Sequence, residues 1–117
     1  MICDPDEFLL ILQKWITDSA NVSFSFSLFE EGNLVPPILS VTLLGRVLAV
    51  DPNSRSFIFS SNDSGVVAVH LGNWSSLSYL GKGELPRIKN IKEGFLLERP
   101  GATISLLVQN QNPNRES

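Results

Sequence analysis

The sequence predicts a mainly β protein: a small, strongly bent antiparallel sheet or open barrel with an α-helix at its N-terminus. Residues 22–28 alternate strictly between apolar and small polar side chains, which is the pattern of a half-buried strand. Further short apolar runs follow, each bounded by turn-forming residues, whereas helical periodicity is confined to the N-terminal segment. We therefore expect one helix followed by five or six strands.

The N-terminal helix has a recognisable start. Pro5 suits the first helical position, and Asp4 with Glu7 forms the pattern of a capping box. One apolar stripe follows at helical spacing: Phe8, Leu9, Ile11, Leu12, Trp15 and Ile16. The helix should end between residues 18 and 21. It is too short to be stable alone, so it must pack either on its own sheet or on a partner chain.

Strands are expected at residues 22–30, 38–50, 56–60, 66–71, 95–99 and 103–108. The segment between residues 72 and 94 gives no clear pattern, although Trp74, Leu77, Tyr79 and Leu80 are compatible with a short strand. Gly45, in the middle of the second strand, predicts a bulge or bend. Turns are expected at Asp51-Pro52-Asn53-Ser54 and at Pro100-Gly101. The side chains expected to be mostly buried are Phe24, Phe26, Leu28, Val41, Leu43, Val47, Phe57, Phe59, Val67, Val69, Ile104 and Leu106.

The composition indicates one intracellular domain. We assign residues 1–108 to a single domain and residues 109–117, which are polar, to a disordered tail. The longest apolar run, residues 8–12, is far shorter than the roughly 20 residues of a membrane span. The acidic N-terminal residues do not resemble a secretory signal. We therefore expect a cytoplasmic protein without a membrane interaction.

Catalytic and metal-binding patterns are missing from the sequence. Cys3 is the only cysteine and His70 the only histidine, so a disulfide is excluded and a zinc site lacks ligands. No nucleophile motif or phosphate-binding glycine loop is present. We expect a protein that is not an enzyme and that has no metal or cofactor.

Positive charge is concentrated in residues 82–92, which contain Lys82, Arg87, Lys89 and Lys92. Such a segment is either a solvated loop or a contact for an anion or nucleic acid, with Trp74 or Tyr79 available for base stacking. The net charge of −3, from 9 basic and 12 acidic residues, is opposite to that of most proteins that bind nucleic acid through phosphates.

Two stretches resemble motifs of the Sm-like proteins, which also place an N-terminal helix before about five bent strands. Gly45-Arg46-Val47-Leu48-Ala49-Val50-Asp51, followed by Phe57-Ile58-Phe59, is similar to the first Sm motif, in which a glycine precedes an aspartate by six residues. Residues 95–104 are similar to the second motif, in which Arg-Gly joins the last two strands. The glycine of Glu31-Gly32 also matches the turn after the first strand of the family.

The resemblance implies a small barrel, a fold pattern that SH3-like and OB-like barrels share. It also implies a single-stranded RNA site at Asn53, Arg55 and Arg99, to which the basic segment would add Lys89 and Lys92. The chain departs from the family in three places: the turn after Asp51 is one residue longer, Pro100 separates Arg99 from Gly101, and the segment between Gly72 and Gly94 is longer than a typical connection.

Two functions follow as hypotheses. The first is a non-catalytic, oligomerising interaction or assembly module that presents its barrel surface and strand edges to protein partners. Residues 103–108, which lack charge and proline, predict a poorly protected edge and hence a homodimer or ring formed by strand addition. The alternative is a single-stranded RNA-binding protein of Sm-like type.

Overall fold

A computed structural model describes residues 2–30, 37–63, 65–81 and 91–109. It confirms a mainly β fold with one N-terminal helix. The elements are α1 (Pro5–Thr17), β1 (Val22–Leu28), β2 (Leu39–Asp51), β3 (Ser56–Ser61), β4 (Val66–His70), a short 3-10 helix (Leu71–Asn73), β5 (Ser76–Leu80), β6 (Ile91–Arg99) and β7 (Ala102–Gln109). Gly32, residues 110–117 and three cations of the basic segment, Lys82, Arg87 and Lys89, lie outside the described part. Gln109, the first residue of the expected tail, belongs to β7.

The strands form one antiparallel sheet in the order β4-β3-β2-β1-β7-β6-β5. In the described residues there are seven strands rather than five or six, because Ser76–Leu80 pairs along β6 as a complete strand. The two outer strands do not pair with each other, so the sheet is open. The order follows the hairpins β1–β2–β3–β4 on one side and β5–β6–β7 on the other, joined where β7 pairs with β1.

Gly45 lies where β2 and β3 approach each other closely. This residue pairs with Val22 on one side and with Ser61 on the other. A Cβ atom at Gly45 would collide with the carbonyl oxygen of Ser60, so no larger residue fits without moving β3. The bulge itself lies between Val47 and Ala49, slightly farther along the strand than Gly45. The glycine thus marks a close backbone approach beside the bulge.

The helix packs on its own sheet, mainly against β2, with a smaller contact at β5. Phe8 is fully buried, and its ring centroid lies 5.6 Å from that of Phe57 and 4.4 Å from that of Phe95. One helical side chain therefore bridges β3 and β6, which lie on opposite halves of the sheet. Asp4 occupies the N-cap position with extended backbone angles, but its side chain makes no capping hydrogen bond.

Most of the expected core is buried: Phe24, Val47, Phe57, Phe59, Val69, Ile104 and Leu106. The others are less covered than the alternation predicts. Phe26, Leu28, Leu43 and Val67 are only partly buried, and 37% of Val41 is exposed. These side chains do face the inside of the bent sheet, but within the described residues no other layer covers that end of it. The alternation correctly predicted which side chains face inward, but it did not predict how much of their surface stays exposed.

The prediction that residues 103–108 form an edge strand is wrong. β7 pairs with β1 on one side and with β6 on the other, so residues 103–108 lie inside the sheet. The outer strands are β4 and β5. The N–H of Cys3 donates a 2.8 Å hydrogen bond to the carbonyl of Leu77, and Ile2 forms a bridge with Ser78, so the N-terminal segment covers part of the β5 edge. Among the helices described, none has the length and apolar character needed to cross a membrane.

Candidate binding groove

The uncovered end of the inner face forms a groove with a volume of about 420 Å³. Its floor and one wall are apolar side chains from four strands: Phe24 and Phe26 of β1, Val41 and Leu43 of β2, Val67 and Val69 of β4, and Ile104 of β7. Residues that face each other in antiparallel pairs lie on the same side of a sheet. The pairs Phe24–Leu43 and Phe26–Val41 therefore place these side chains together on the floor.

The floor presents mainly side chains. β1 and β7 are each paired on both sides, whereas residues 39–43 of β2 pair with β1 alone among the described strands, because the pairing of β2 with β3 begins at Gly45. A molecule on the floor would therefore meet mostly hydrocarbon and aromatic surface.

Polar and aromatic groups line one end of the groove: His70, Asn73, Trp74 and Arg99. Arg99 ends β6, on the same face as the buried Leu97, because the two are separated by two positions on a strand. The Arg99 guanidinium makes no ion pair or hydrogen bond with any residue in the described ranges. No acidic residue is among the described residues that line the groove. The groove thus has an apolar floor and a cationic end.

The structure does not gather the residues expected to bind RNA. Asn53 and Arg55 lie in the turn between β2 and β3 and do not line the groove. Arg55, which has a left-handed φ of 51°, places its Nε 4.0 Å from Asp6 Oδ1. Lys92 is exposed near the start of β6, seven residues from Arg99 and hence roughly 23 Å away along the strand. Among the described residues that were expected to bind RNA, Arg99 is the one that lines the groove. Trp74, one of the two stacking candidates, lines it as well.

The turn that contains Asn53 has a structural explanation. Asp51 Oδ1 accepts hydrogen bonds from the N–H of Asn53 at 3.0 Å and of Ser54 at 3.5 Å. The Ser54 hydroxyl, then the Ser54 and Asn53 backbone N–H groups, lower the pKa of Asp51 below its ordinary value. The aspartate therefore stabilises the turn, as its position in the sequence predicts.

Tyr79, the second stacking candidate, lies elsewhere on the inner face. Its hydroxyl donates to Glu93 Oε2 at 2.9 Å, and its ring packs edge-on against Phe95 with centroids 5.4 Å apart. Cys3 is buried; burial, with a smaller contribution from Glu7, raises the pKa of its thiol. A thiol with a raised pKa is a weak nucleophile. In the described ranges no three His, Cys, Asp or Glu side chains group as a metal site.

One edge of β4, beside the groove, has no neighbouring strand among the residues that the structure describes. The N–H of Leu71 bonds to the carbonyl of Arg55, and the N–H of Ser61 bonds to that of Gly65. Both bonds fit the β3–β4 register, in which hydrogen-bonded pairs alternate with non-hydrogen-bonded pairs. Counting from these two bonds, the N–H and C=O groups of Val66, Ala68 and His70 point away from β3. They form the outward row of the edge.

Sequence reasoning identified Arg99 and Trp74 separately but gave no sign that they share a groove with His70 and Asn73. That grouping requires the bend of the sheet, which brings the end of β4 near the end of β6. Comparisons with protein-family models, with curated proteins and with solved structures each returned no significant match. Function is therefore inferred from the groove and from the β4 edge.

Proposed function

We propose that the protein is a non-catalytic assembly module that pairs with a second copy of itself by strand addition at β4. The free edge of β4 is the observation that carries this proposal. Its sequence, Val66-Val67-Ala68-Val69-His70, contains no proline, lysine or acidic residue, the features that usually protect an edge strand. The β5 edge is different, because Ile2 and Cys3 cover part of it.

Antiparallel pairing of two β4 strands around a two-fold axis at Ala68 gives hydrogen-bond partners to the outward N–H and C=O groups of Val66, Ala68 and His70. Val66 of each copy then faces His70 of the other, and each such pair, like the central alanine pair, exchanges two N–H···O bonds. About six backbone hydrogen bonds result. Pairing also covers the side chain of Val66, which is 61% exposed in the single chain. The same surface serves both copies, as in most homodimers.

A closed dimer is favoured over a ring. A ring needs a heterologous contact between two different edges. The second edge would have to be that of β5, where the N-terminal segment already bonds to Leu77. Pairing of β4 with itself leaves that contact intact and closes after two copies.

The oligomeric state tests the proposal. Sedimentation velocity over a concentration series should show a dimer for the parent chain and a monomer for Ala68→Pro, which lacks the outward N–H but keeps the β3–β4 hydrogen bonds. Proline is tolerated on the free side of an edge strand. Ala68→Val retains the N–H and should still dimerise. A parent chain that remains monomeric at high micromolar concentration, or an Ala68→Pro variant that dimerises like the parent, contradicts the proposal.

RNA binding of Sm-like type is the second candidate, favoured by the presence of Arg99 and Trp74 in one groove. The net charge of −3 and the position of Arg55 beside Asp6 argue against it. With labelled oligo-U and oligo-A at low salt we expect no binding tighter than about 10 micromolar, close to the non-specific range. Submicromolar binding that weakens with salt and is lost in Arg99→Ala would establish RNA binding instead.

A further inference from the structure

We propose that the groove binds an amphiphilic carboxylate of the fatty-acid class, with its hydrocarbon chain on the apolar floor and its carboxylate at Arg99. This ligand site goes beyond self-association, because pairing uses the outward backbone groups of β4 whereas the ligand would contact the apolar floor and Arg99.

The floor selects for hydrocarbon. Phe26, Val41, Leu43 and Val67 belong to the inward-facing set, yet each keeps part of its surface in water. Covering apolar surface is favourable in proportion to its area. Because the backbone groups of β1 and β7 are used by the strands on both sides, most of the floor cannot hydrogen-bond to a polar ligand.

The end of the groove selects for an anion. The Arg99 side chain has no acidic partner among the described residues, and the residues lining the groove there include none. A guanidinium binds a planar carboxylate through two parallel N–H···O bonds. The Asn73 amide and the Trp74 indole N–H are further donors at the same end.

The size of the groove suits a small ligand. Its volume of about 420 Å³ falls within the roughly 300–1,000 Å³ of small-molecule sites, which also share its mostly apolar lining with a few polar groups. A peptide fits less well, because most peptide bonds laid on this floor would lose hydrogen bonds to water without replacement. A peptide could bond to the edge of β4, which the proposed dimer occupies, or to residues 39–43 of β2, which pair with β1 alone in the described part of the chain.

Binding of decanoate, measured by titration calorimetry, tests the proposal, with 1-decanol as the neutral analogue. Arg99→Met keeps the length of the side chain and removes its charge; it should weaken decanoate binding about tenfold or more and leave decanol unchanged. Arg46→Met, on an exposed arginine of β2 outside the groove, is the matched control and should bind like the parent. Shortening the ligand should weaken binding about fourfold for each methylene removed.

A second pair of variants tests the floor. Val41→Glu places a negative charge beneath the hydrocarbon chain and should abolish decanoate binding. Leu48→Glu introduces the same charge at a β2 position that is 54% exposed and outside the groove, and it should bind decanoate normally. Thermal unfolding of each variant establishes that it is folded.

Three results would overturn the proposal: equal affinity for decanoate and decanol, unchanged decanoate binding by Arg99→Met, or no saturable binding of decanoate. An apolar peptide with blocked ends that binds more tightly than decanoate would assign the groove to a protein partner instead. Decanoate binding by a parent chain that proves monomeric would support the ligand site and contradict only the proposed dimer.

Discussion

Trp15 of α1 donates its indole N–H to Glu93 Oε1 of β6 at 2.9 Å, a hydrogen bond between residues 78 positions apart in the chain. The other carboxylate oxygen of Glu93 accepts the Tyr79 hydroxyl of β5, also at 2.9 Å. One partly buried carboxylate thus joins the helix to two strands. Trp15 and Tyr79 both pack against Phe95, with ring centroids 5.4 Å apart in each case.

Removing this carboxylate should destabilise the protein. Glu93→Ala leaves the largely buried Trp15 N–H without its acceptor, and we expect the free energy of unfolding to fall by about 2 kcal/mol. Glu98→Ala, on an exposed glutamate of the same strand, should change it by less than about 0.5 kcal/mol. Urea unfolding of both variants measures the difference; equal stabilities would show that the Trp15 bond contributes nothing.

Two phenylalanines on the same face should differ in their contribution to stability. Phe59 is fully buried and its ring stacks on Phe24, so Phe59→Ala should cost about 3–5 kcal/mol. Phe26 lines the open groove, where truncation leaves a space that water can enter rather than a sealed cavity. Phe26→Ala should therefore cost only about 2 kcal/mol. A loss at Phe26 as large as that at Phe59 would indicate that the groove is closed in solution.

Gly45 should tolerate no side chain. Gly45→Ala directs a methyl group into the Ser60 carbonyl, and we expect a loss of about 3 kcal/mol because β3 has to move. Gly72→Ala is the control: a Cβ atom there meets nothing within 4 Å. The melting temperature of Gly72→Ala should stay close to that of the parent, whereas that of Gly45→Ala should fall. An unchanged melting temperature for Gly45→Ala would contradict the close approach of β2 and β3.

Asp51 should make stability depend on pH at acidic values. Because hydrogen bonds lower the pKa of its carboxyl in the folded state, its contribution is present above the ordinary value of 3.8 and is lost as the pH falls through the lower, folded value. Carboxyl-detected NMR titration should give a pKa below 3.8 for Asp51, and Ser54→Ala should raise it. A titration at or above the ordinary value in the parent would show that these bonds do not persist in solution.

Much of the local structure could be predicted from the sequence. Pro5 and the apolar stripe that includes Phe8 predicted α1, the alternation around Phe24 predicted β1, and Asp51-Pro52 predicted the turn before β3. Each of these signals depends on residues close together in the chain, where backbone geometry and side-chain period act directly. Arg99 became a candidate binding residue in a different way, through the resemblance of residues 95–104 to the second Sm motif.

The order of the strands could not be predicted from the same patterns. Residues 103–108 have the composition of an unprotected edge, yet β7 lies between β1 and β6, while β4 is left with a free side. Period-2 alternation specifies which face of a strand is buried and contains no information about its neighbours. Pairing of β1 with β7 joins residues some 80 positions apart, and only the complete set of pairings determines it.

By itself, then, the sequence determined the class of fold, the helix, the turns and the inner face of each strand, because these follow from short-range sterics and hydrophobic period. The tertiary structure alone decided that the sheet stays open, that Val41 and Phe26 face a groove rather than a sealed core, and that Arg99 stands at its end beside Trp74. Closure of a sheet depends on its accumulated twist and on irregularities such as the bulge between Val47 and Ala49. These are properties of all the strands together.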